Sequence, residues 1–545
     1  MQGDNLVVES SSPPTATMQL QHSSAPDASA TASSSTIPTV APTLTSSSLV
    51  NTPVPASGQS PIRYQAQSGD SLPIVAKRFG IGIDEILSPQ PLPEQGLLIP
   101  GQLLLLPPRS SEIVPDTVIL LSPQPLLPDS EIVYGPSAID FDIKQYLEEV
   151  GGYISTHREY LGSTAWTDAS DVIIRVALEN SINPRLLLAL LQYECECVLG
   201  TSAGQLLKGY ALGVEDFHHQ GLYGQLGWAA NQLSIGYYGW RSGALREISL
   251  PNGIIMRPAP DSNAGTVALQ YYFASLAAQK ALQRLPTAQQ SLVGPIAINN
   301  AWLETAIDPQ NGFAALHQLM FGDAWTRAQA AEPIFPAGLS QPEMILPFEP
   351  GVVWSYTSGP HKAWQTEGAL AALDFAPASK ESECVRSDAW VVAVADGPVV
   401  RVGDGYIIQD LDGPDASGQN APSDRLEQSG WAILYMHIET RDKVALGTYL
   451  CAGDRIGHPS CEGGPATGTH LHIARKYNGE WILADSPLPF VLSGWVARQG
   501  QNPYEGTLTK GDQTVVAHPY GSYDTLVRRP QENESLETAT VSPTP

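Results

Sequence analysis

Ala466-Thr467-Gly468-Thr469-His470-Leu471-His472-Ile473-Ala474 decides how the C-terminal third of this chain folds. The turn residue Gly468 leads into a strand-like run over 471–474. Side chains on a strand repeat every two residues, so His470 and His472 share a face, where one imidazole can bind a metal while the other works beside it. Working outward, 431–438 reads as a second strand and carries His437 at its end. Ala372-Leu373-Asp374-Phe375 sets a carboxylate inside an apolar strand, and His361 follows the loop signature Gly359-Pro360. Five of the 11 histidines therefore lie between 361 and 472; the fifth, His458, sits beside Pro459 and reads as a loop residue rather than a ligand. The apolar runs 390–394, 398–402, 431–438 and 471–474 are separated by Gly, Asp and Pro, which predicts antiparallel strands with long loops.

Two imidazoles and one carboxylate around zinc leave an open position for water, whose pKa falls to about 7 there. Two more imidazoles can take its proton and stabilise the oxyanion that develops. Gly453-Asp454-Arg455-Ile456-Gly457 followed by the Ala466–His472 run resembles the signature of the lysostaphin-type zinc endopeptidases. Tyr435-Met436-His437-Ile438 resembles it too, as do Asp374-Phe375-Ala376 and the run Val391-Val392-Ala393-Val394-Ala395-Asp396-Gly397-Pro398-Val399-Val400. The resemblance implies a mainly antiparallel β domain over 340–506 that cuts peptides of bacterial peptidoglycan with one Zn2+. It implies His361, Asp374 and His472 as ligands and His437 and His470 as the catalytic pair. One spacing departs from the family, which separates its first His and Asp by three residues; here twelve intervene between His361 and Asp374.

The chain has 545 residues, 29 Lys plus Arg against 55 Asp plus Glu, and a formal net charge of -26. That balance excludes a general nucleic-acid binder, which needs clustered cations, and disfavours anionic lipid as a partner. No window approaches the roughly 20 apolar residues of a membrane-spanning helix. Residues 1–61 form a tether; in 1–60, 36 residues are Ser, Thr, Pro or Ala, and none is Lys, Arg or aromatic. Such composition cannot offset chain entropy by burial, and it shows no signal peptide.

Tyr64-Gln65-Ala66-Gln67-Ser68-Gly69-Asp70-Ser71-Leu72 reads as a strand, a turn and a helix start, with Asp70 or Ser71 as cap and the helix running to Phe79. A second helix is expected near 83–87, then a strand over 103–106. With Ile74-Val75-Ala76-Lys77-Arg78-Phe79-Gly80 and Ile99-Pro100-Gly101-Gln102-Leu103, this βααβ pattern over 62–108 resembles the lysin motif (LysM), which binds N-acetylglucosamine polymers. Pro73, early in its first helix, and the missing Asn near Leu87 depart from that family. Residues 109–139 read as a linker packed on a neighbour.

Residues 140–335 turn helical. Asn183-Pro184 is a helix start, and Leu186, Leu187, Leu190 and Leu191 make a stripe that places Glu194 on or beside it. Burial there would raise its pKa, as a glycoside general acid requires. Pro184–Glu194, with Gly221-Leu222-Tyr223-Gly224-Gln225-Leu226, resembles the lytic transglycosylases of the lysozyme-like superfamily, implying an all-α domain with Glu194 as the acid. Cys195 stands where that family has Ser.

Cys195 and Cys197, two apart on a helix, face different ways and are not expected to bridge. Cys384, Cys451 and Cys461 fit no zinc knuckle; outside the cytoplasm one bridge is expected, Cys384–Cys461 before Cys451–Cys461, with three free thiols as the alternative. The expectation is a multidomain, monomeric, extracytoplasmic wall hydrolase with a tail over 507–545, peptidoglycan as its partner, and no nucleic acid or membrane span. The alternative is a non-catalytic wall-binding or hydrolase-activator protein.

Overall fold

Ile62–Gln65 (β1) runs antiparallel to Leu103–Leu106 (β2), and Leu72–Phe79 (α1) packs Val75, Ala76 and Phe79 against Tyr64, Leu104 and Leu106 of this pair. The computed structural model describes residues 60–108, 115–285, 298–378, 383–412 and 424–531, all within one compact unit, Ser57–Pro545. The expected tether lies outside the described residues except for its last two positions. Pro73 falls in the first turn of α1, where its missing N–H is not needed, and Gly80 ends the helix with left-handed backbone (φ 63°). Ser71 is the cap residue, but its side chain makes no capping bond. Asp70 is buried instead, accepting from Tyr64 Oη (2.5 Å), Gln67 N (2.8 Å) and Arg78 Nη1 (2.7 Å). The expected second helix is a single 3-10 turn, Ile83–Glu85. Ile86 returns to extended backbone, and Leu87 then exchanges two main-chain hydrogen bonds with Leu105.

Of the stretch read as a linker, the described residues 115–139 are part of the next core. Val118–Leu120 (β3) pairs in parallel with a later strand, and Leu126, Leu127, Ile132 and Val133 are buried. Its apolar runs are too dense for exposed chain. Then follow Ile143–Val150 (α2), the hairpin Arg158–Leu161 (β4) and Ala165–Asp168 (β5), Ala169–Asn180 (α3), Pro184–Cys195 (α4) and Leu222–Arg241 (α5). Next come Ile248–Ser249 (β6), Ile255–Arg257 (β7), Ala264–Gln283 (α6), Asn300–Ala306 (α7), Phe313–Phe321 (α8) and Ala324–Ala331 (α9). The region is mainly helical but not all-α: the β4–β5 hairpin and the β3–β7–β6 sheet interrupt it. Asn183 caps α4 as expected, accepting from Arg185 N.

Cys195 and Cys197 are disulfide-bonded, against expectation. The expectation assumed helix through both, whereas α4 stops at Cys195 and Glu196 turns the chain back with φ 53°.

The C-terminal part holds Val353–Lys362 (β8), Leu370–Pro377 (β9), Val391–Val392 (β10), Gly397–Gly403 (β11), Tyr406–Asp410 (β12), Trp431–Met436 (β13), Tyr449–Leu450 (β14), Arg455–Gly457 (β15) and Leu471–Tyr477 (β16). They are followed by Glu480–Trp481 (β17), Val491–Leu492 (β18), Trp495–Gln499 (β19), Gly506–Lys510 (β20), Gln513–Val516 (β21) and Leu526–Arg528 (β22). The main sheet is antiparallel in the order β14-β11-β12-β13-β16-β9-β8-β22, and β18 to β21 form a separate meander. β22 pairs with β8, so residues 507–531 are not a fading tail but complete both sheets. That pairing joins positions far apart in sequence, which local polarity does not reveal. Residues 532–545 lie outside the described residues. Cys384–Cys461 is bonded and Cys451 is free, as preferred.

A buried ion cluster ties these parts together. Arg241 of α5 meets Asp129 and Glu480 at 3.0 Å each and also bonds the carbonyl of Ser68; Tyr237 Oη donates to Glu480 at 2.7 Å.

Candidate metal centre

Register in the main sheet assembles the site. His472 lies directly across from Asp374 on one side and Met436 on the other, and His437 follows Met436 at the end of β13. His361 is not in a loop, as its Gly-Pro prefix suggested, but near the end of β8, across from Ala372. Of the twelve residues between His361 and Asp374, 363–369 form the β8–β9 connection and the rest belong to the two paired strands, so the chain returns to the same end of the sheet.

His361 Nε2 and His472 Nδ1 lie 3.0 Å apart, and each is 3.3 Å from Asp374 Oδ1. All three residues are buried. The other ring nitrogens are committed: His361 Nδ1 donates to Gly359 O (2.8 Å) and His472 Nε2 donates to Ala363 O (2.9 Å). A carbonyl only accepts, so those nitrogens carry the protons and the facing pair presents lone pairs. Asp374 Oδ1 is buried and accepts no hydrogen bond from the described residues. Two lone pairs and an orphaned carboxylate oxygen converging on one point call for a cation. Ligand atoms 2.0–2.1 Å from a tetrahedral zinc would be about 3.3 Å from one another, which these separations match.

His437 and His470 stand beside this triad with ring centroids 4.4 Å apart, and His470 Nε2 is 3.8 Å from Asp374 Oδ2. Their Nδ1 atoms donate to Glu462 O (2.8 Å) and Gly468 O (2.7 Å), leaving both Nε2 atoms as acceptors. His437, just past the end of β13, has φ 64°, in the left-handed region uncommon for non-glycine residues. Burial, together with His470 and His472, pushes its imidazole down to about 3, so it is neutral at pH 7. Burial opposes charge on Asp374, but His361 and His470 hold its carboxyl well below the usual range. Burial likewise opposes a proton on His361, yet Asp374 raises its affinity for one. Without a metal, a proton is the cation this cluster attracts.

Tyr504 stacks on His361 (centroids 4.6 Å, interplanar 22°). Sequence reasoning missed it, along with the carbonyls of Gly359, Ala363, Glu462 and Gly468: a main-chain acceptor has no side-chain signal, and Tyr504 arrives from another sheet. His458 stays apart as expected, donating to Ala389 O at 2.8 Å against Trp390. A second cluster, Asp410, Asp412 and Asp424, contains carboxylates alone.

Glu194 is not brought to the imidazoles. Its Oε2 pairs with Lys280 at 2.5 Å, Oε1 is buried without a partner among the described residues, and burial raises its pKa as expected. Among the described residues no helix is long and apolar enough to cross a membrane.

Residues 125–333 match the family described as LasA, N-terminal domain, which spans most of the helical region. The chain is similar to Protease LasA of Pseudomonas aeruginosa (strain UCBPP-PA14), with 24% identity over 385 residues, 65% of this chain and 74% of that one. Among solved structures, the M23 metalloprotease Pseudoalterin from the deep sea aligns at 21% identity over 33% of this chain and 96% of its own, with TM-score 0.26. A zinc-containing peptidase from Vibrio cholerae aligns at 18% identity over 28% of this chain and 37% of its own, with TM-score 0.17.

Proposed function

We propose, on the premise of the LasA likeness and the converging triad, that this chain is a zinc endopeptidase acting on peptides of bacterial peptidoglycan. The observation that carries the reading is Asp374 Oδ1, buried and without a hydrogen bond from the described residues, between two imidazole lone pairs 3.3 Å away. His361 Nε2, Asp374 Oδ1 and His472 Nδ1 would hold the ion. When bound, zinc with three protein ligands supplies Lewis acidity at its open position. His437 and His470, each with Nδ1 donating to a main-chain carbonyl, are placed to accept the proton of an attacking water at Nε2 and return it to the leaving amine. Their Nδ1 donors to Glu462 O and Gly468 O keep the rings from rotating as the proton moves.

The finer proposals concern targeting and place of action. Glycan recognition falls to residues 62–108, where Gly69, Ser71, Leu72 and Leu97 line a cleft of about 480 Å³ opposite Trp481 and Pro489. Two disulfides suit an oxidising compartment outside the cytoplasm. Glycan cleavage at Glu194 is the second activity proposed: its raised pKa suits a general acid, while Lys280 competes for the carboxylate.

Zinc content of purified protein and mass spectrometry of digested peptidoglycan test these readings. New amino termini are the expected product, and anhydro-sugar ends would assign chemistry to Glu194. Wall binding with neither product leaves the non-catalytic binder as the correct reading.

A further inference from the structure

The segment joining β8 to β9, residues 363–369, carries Ala363, whose carbonyl fixes the tautomer of His472. It separates His361 from Asp374, so its position sets how two of the three metal-facing groups meet the third. A surface connection of this length would be mobile unless moored. Its mooring lies in the helical region. Asn231 Oδ1 accepts the main-chain N–H of Glu367 at 2.8 Å, and Gln365 Nε2 donates to Tyr223 Oη at 2.8 Å. At Gly368 the connection meets α5 so closely that an added Cβ would lie 2.2 Å from the Ser234 carbonyl oxygen. Tyr223, Asn231 and Ser234 are spaced by eight and three residues and so share one stripe of α5. A second anchor is Trp364, whose ring lies 4.8 Å from Tyr406 and beneath Arg401. Arg401 in turn donates to the Leu178 carbonyl of α3.

We infer that this stripe of α5 is a brace for the metal centre, with Asn231 and the close contact at Gly368 acting as positioning elements for His361 and His472. The helical region thereby sets zinc affinity from outside the ligand set. The inference rests on the zinc reading above. Groups that orient metal ligands are commonly worth about 10–100-fold in affinity. Losing the Glu367 anchor lets Ala363 drift, frees His472 to change tautomer, and loosens the approach of His361.

The test is zinc affinity of the full chain by competition with a chromophoric chelator, alongside thermal unfolding of the metal-free protein. Asn231→Ala removes the acceptor, Asn231→Asp keeps it, and Gly368→Ala drives the connection off the helix. The expected result is zinc binding weakened about 10-fold or more in Asn231→Ala and Gly368→Ala, near-normal binding in Asn231→Asp, and an unchanged metal-free melting midpoint in Asn231→Ala. Hydrogen exchange of the metal-free protein should show faster exchange over 362–370 in the two weakened variants. Unchanged affinity in both variants overturns the brace while leaving the metal site standing. Weakening in Asn231→Ala that merely follows a lower metal-free melting midpoint also overturns it. Absence of zinc binding by the unmodified chain overturns the brace and the proposed function together.

Discussion

His472 donates its Nε2 proton to the carbonyl of Ala363, 109 residues earlier in the chain, and so turns a bare Nδ1 toward His361 and Asp374. A carbonyl on a hairpin thus decides which nitrogen of a ligand faces the ion, the outer-shell control usual at metal sites.

Replacing His472 by Ala removes one of three ligands. Zinc should fall from about one ion per chain to none after desalting, since two ligands do not hold a tetrahedral site. Peptide cleavage should be lost with it. Elemental analysis and digestion of peptidoglycan check both, and normal cleavage by this variant would refute the ligand assignment.

His437→Ala and His470→Ala should separate binding from chemistry. Neither nitrogen belongs to the triad, so zinc stays bound while kcat falls by roughly 10²–10⁴-fold, the usual worth of positioned acid–base groups. Loss of zinc from either variant would make that residue a ligand instead.

Acid should unfold the chain through Glu427. Burial opposes its charge, but Arg401 and Lys476 hold the carboxyl down to about 2. A folded pKa below the unfolded value of about 4.3 gives stability that is present above that value and lost as pH falls toward 2, about 3 kcal/mol in all. Burial, with Arg327 and Arg185, holds His317 down to about 3, which adds a loss beginning below about pH 6.5. Denaturant titrations between pH 7 and 3 should show this slope. Glu427→Gln should be less stable at pH 7 by about 3–5 kcal/mol, because two buried cations lose their partner, and its slope below pH 4.5 should be shallower.

The Cys384–Cys461 bridge closes 77 residues around the site. Chain-entropy reasoning assigns it up to about 4 kcal/mol, so Cys384→Ser should unfold at distinctly lower denaturant. Zinc affinity should fall less than in His472→Ala, since neither cysteine touches the triad. An unchanged midpoint would show that the bridge constrains little.

The strands that carry Asp374 and His472 were legible in the chain alone, because the apolar run Ala372-Leu373-Asp374-Phe375 and the alternation His470-Leu471-His472 are written in consecutive residues. So were helix ends marked by local chemistry, such as Asn183-Pro184 and Gly80. Long-range packing alone places His361 on a strand, closes the sheets with residues 507–531, turns Cys197 back onto Cys195 at Glu196, and rests the 363–369 connection on α5. Each of these depends on pairing between distant segments or on a single backbone angle. Hydrogen-bonded main-chain groups and a left-handed φ leave no pattern in side-chain polarity from which they could be read.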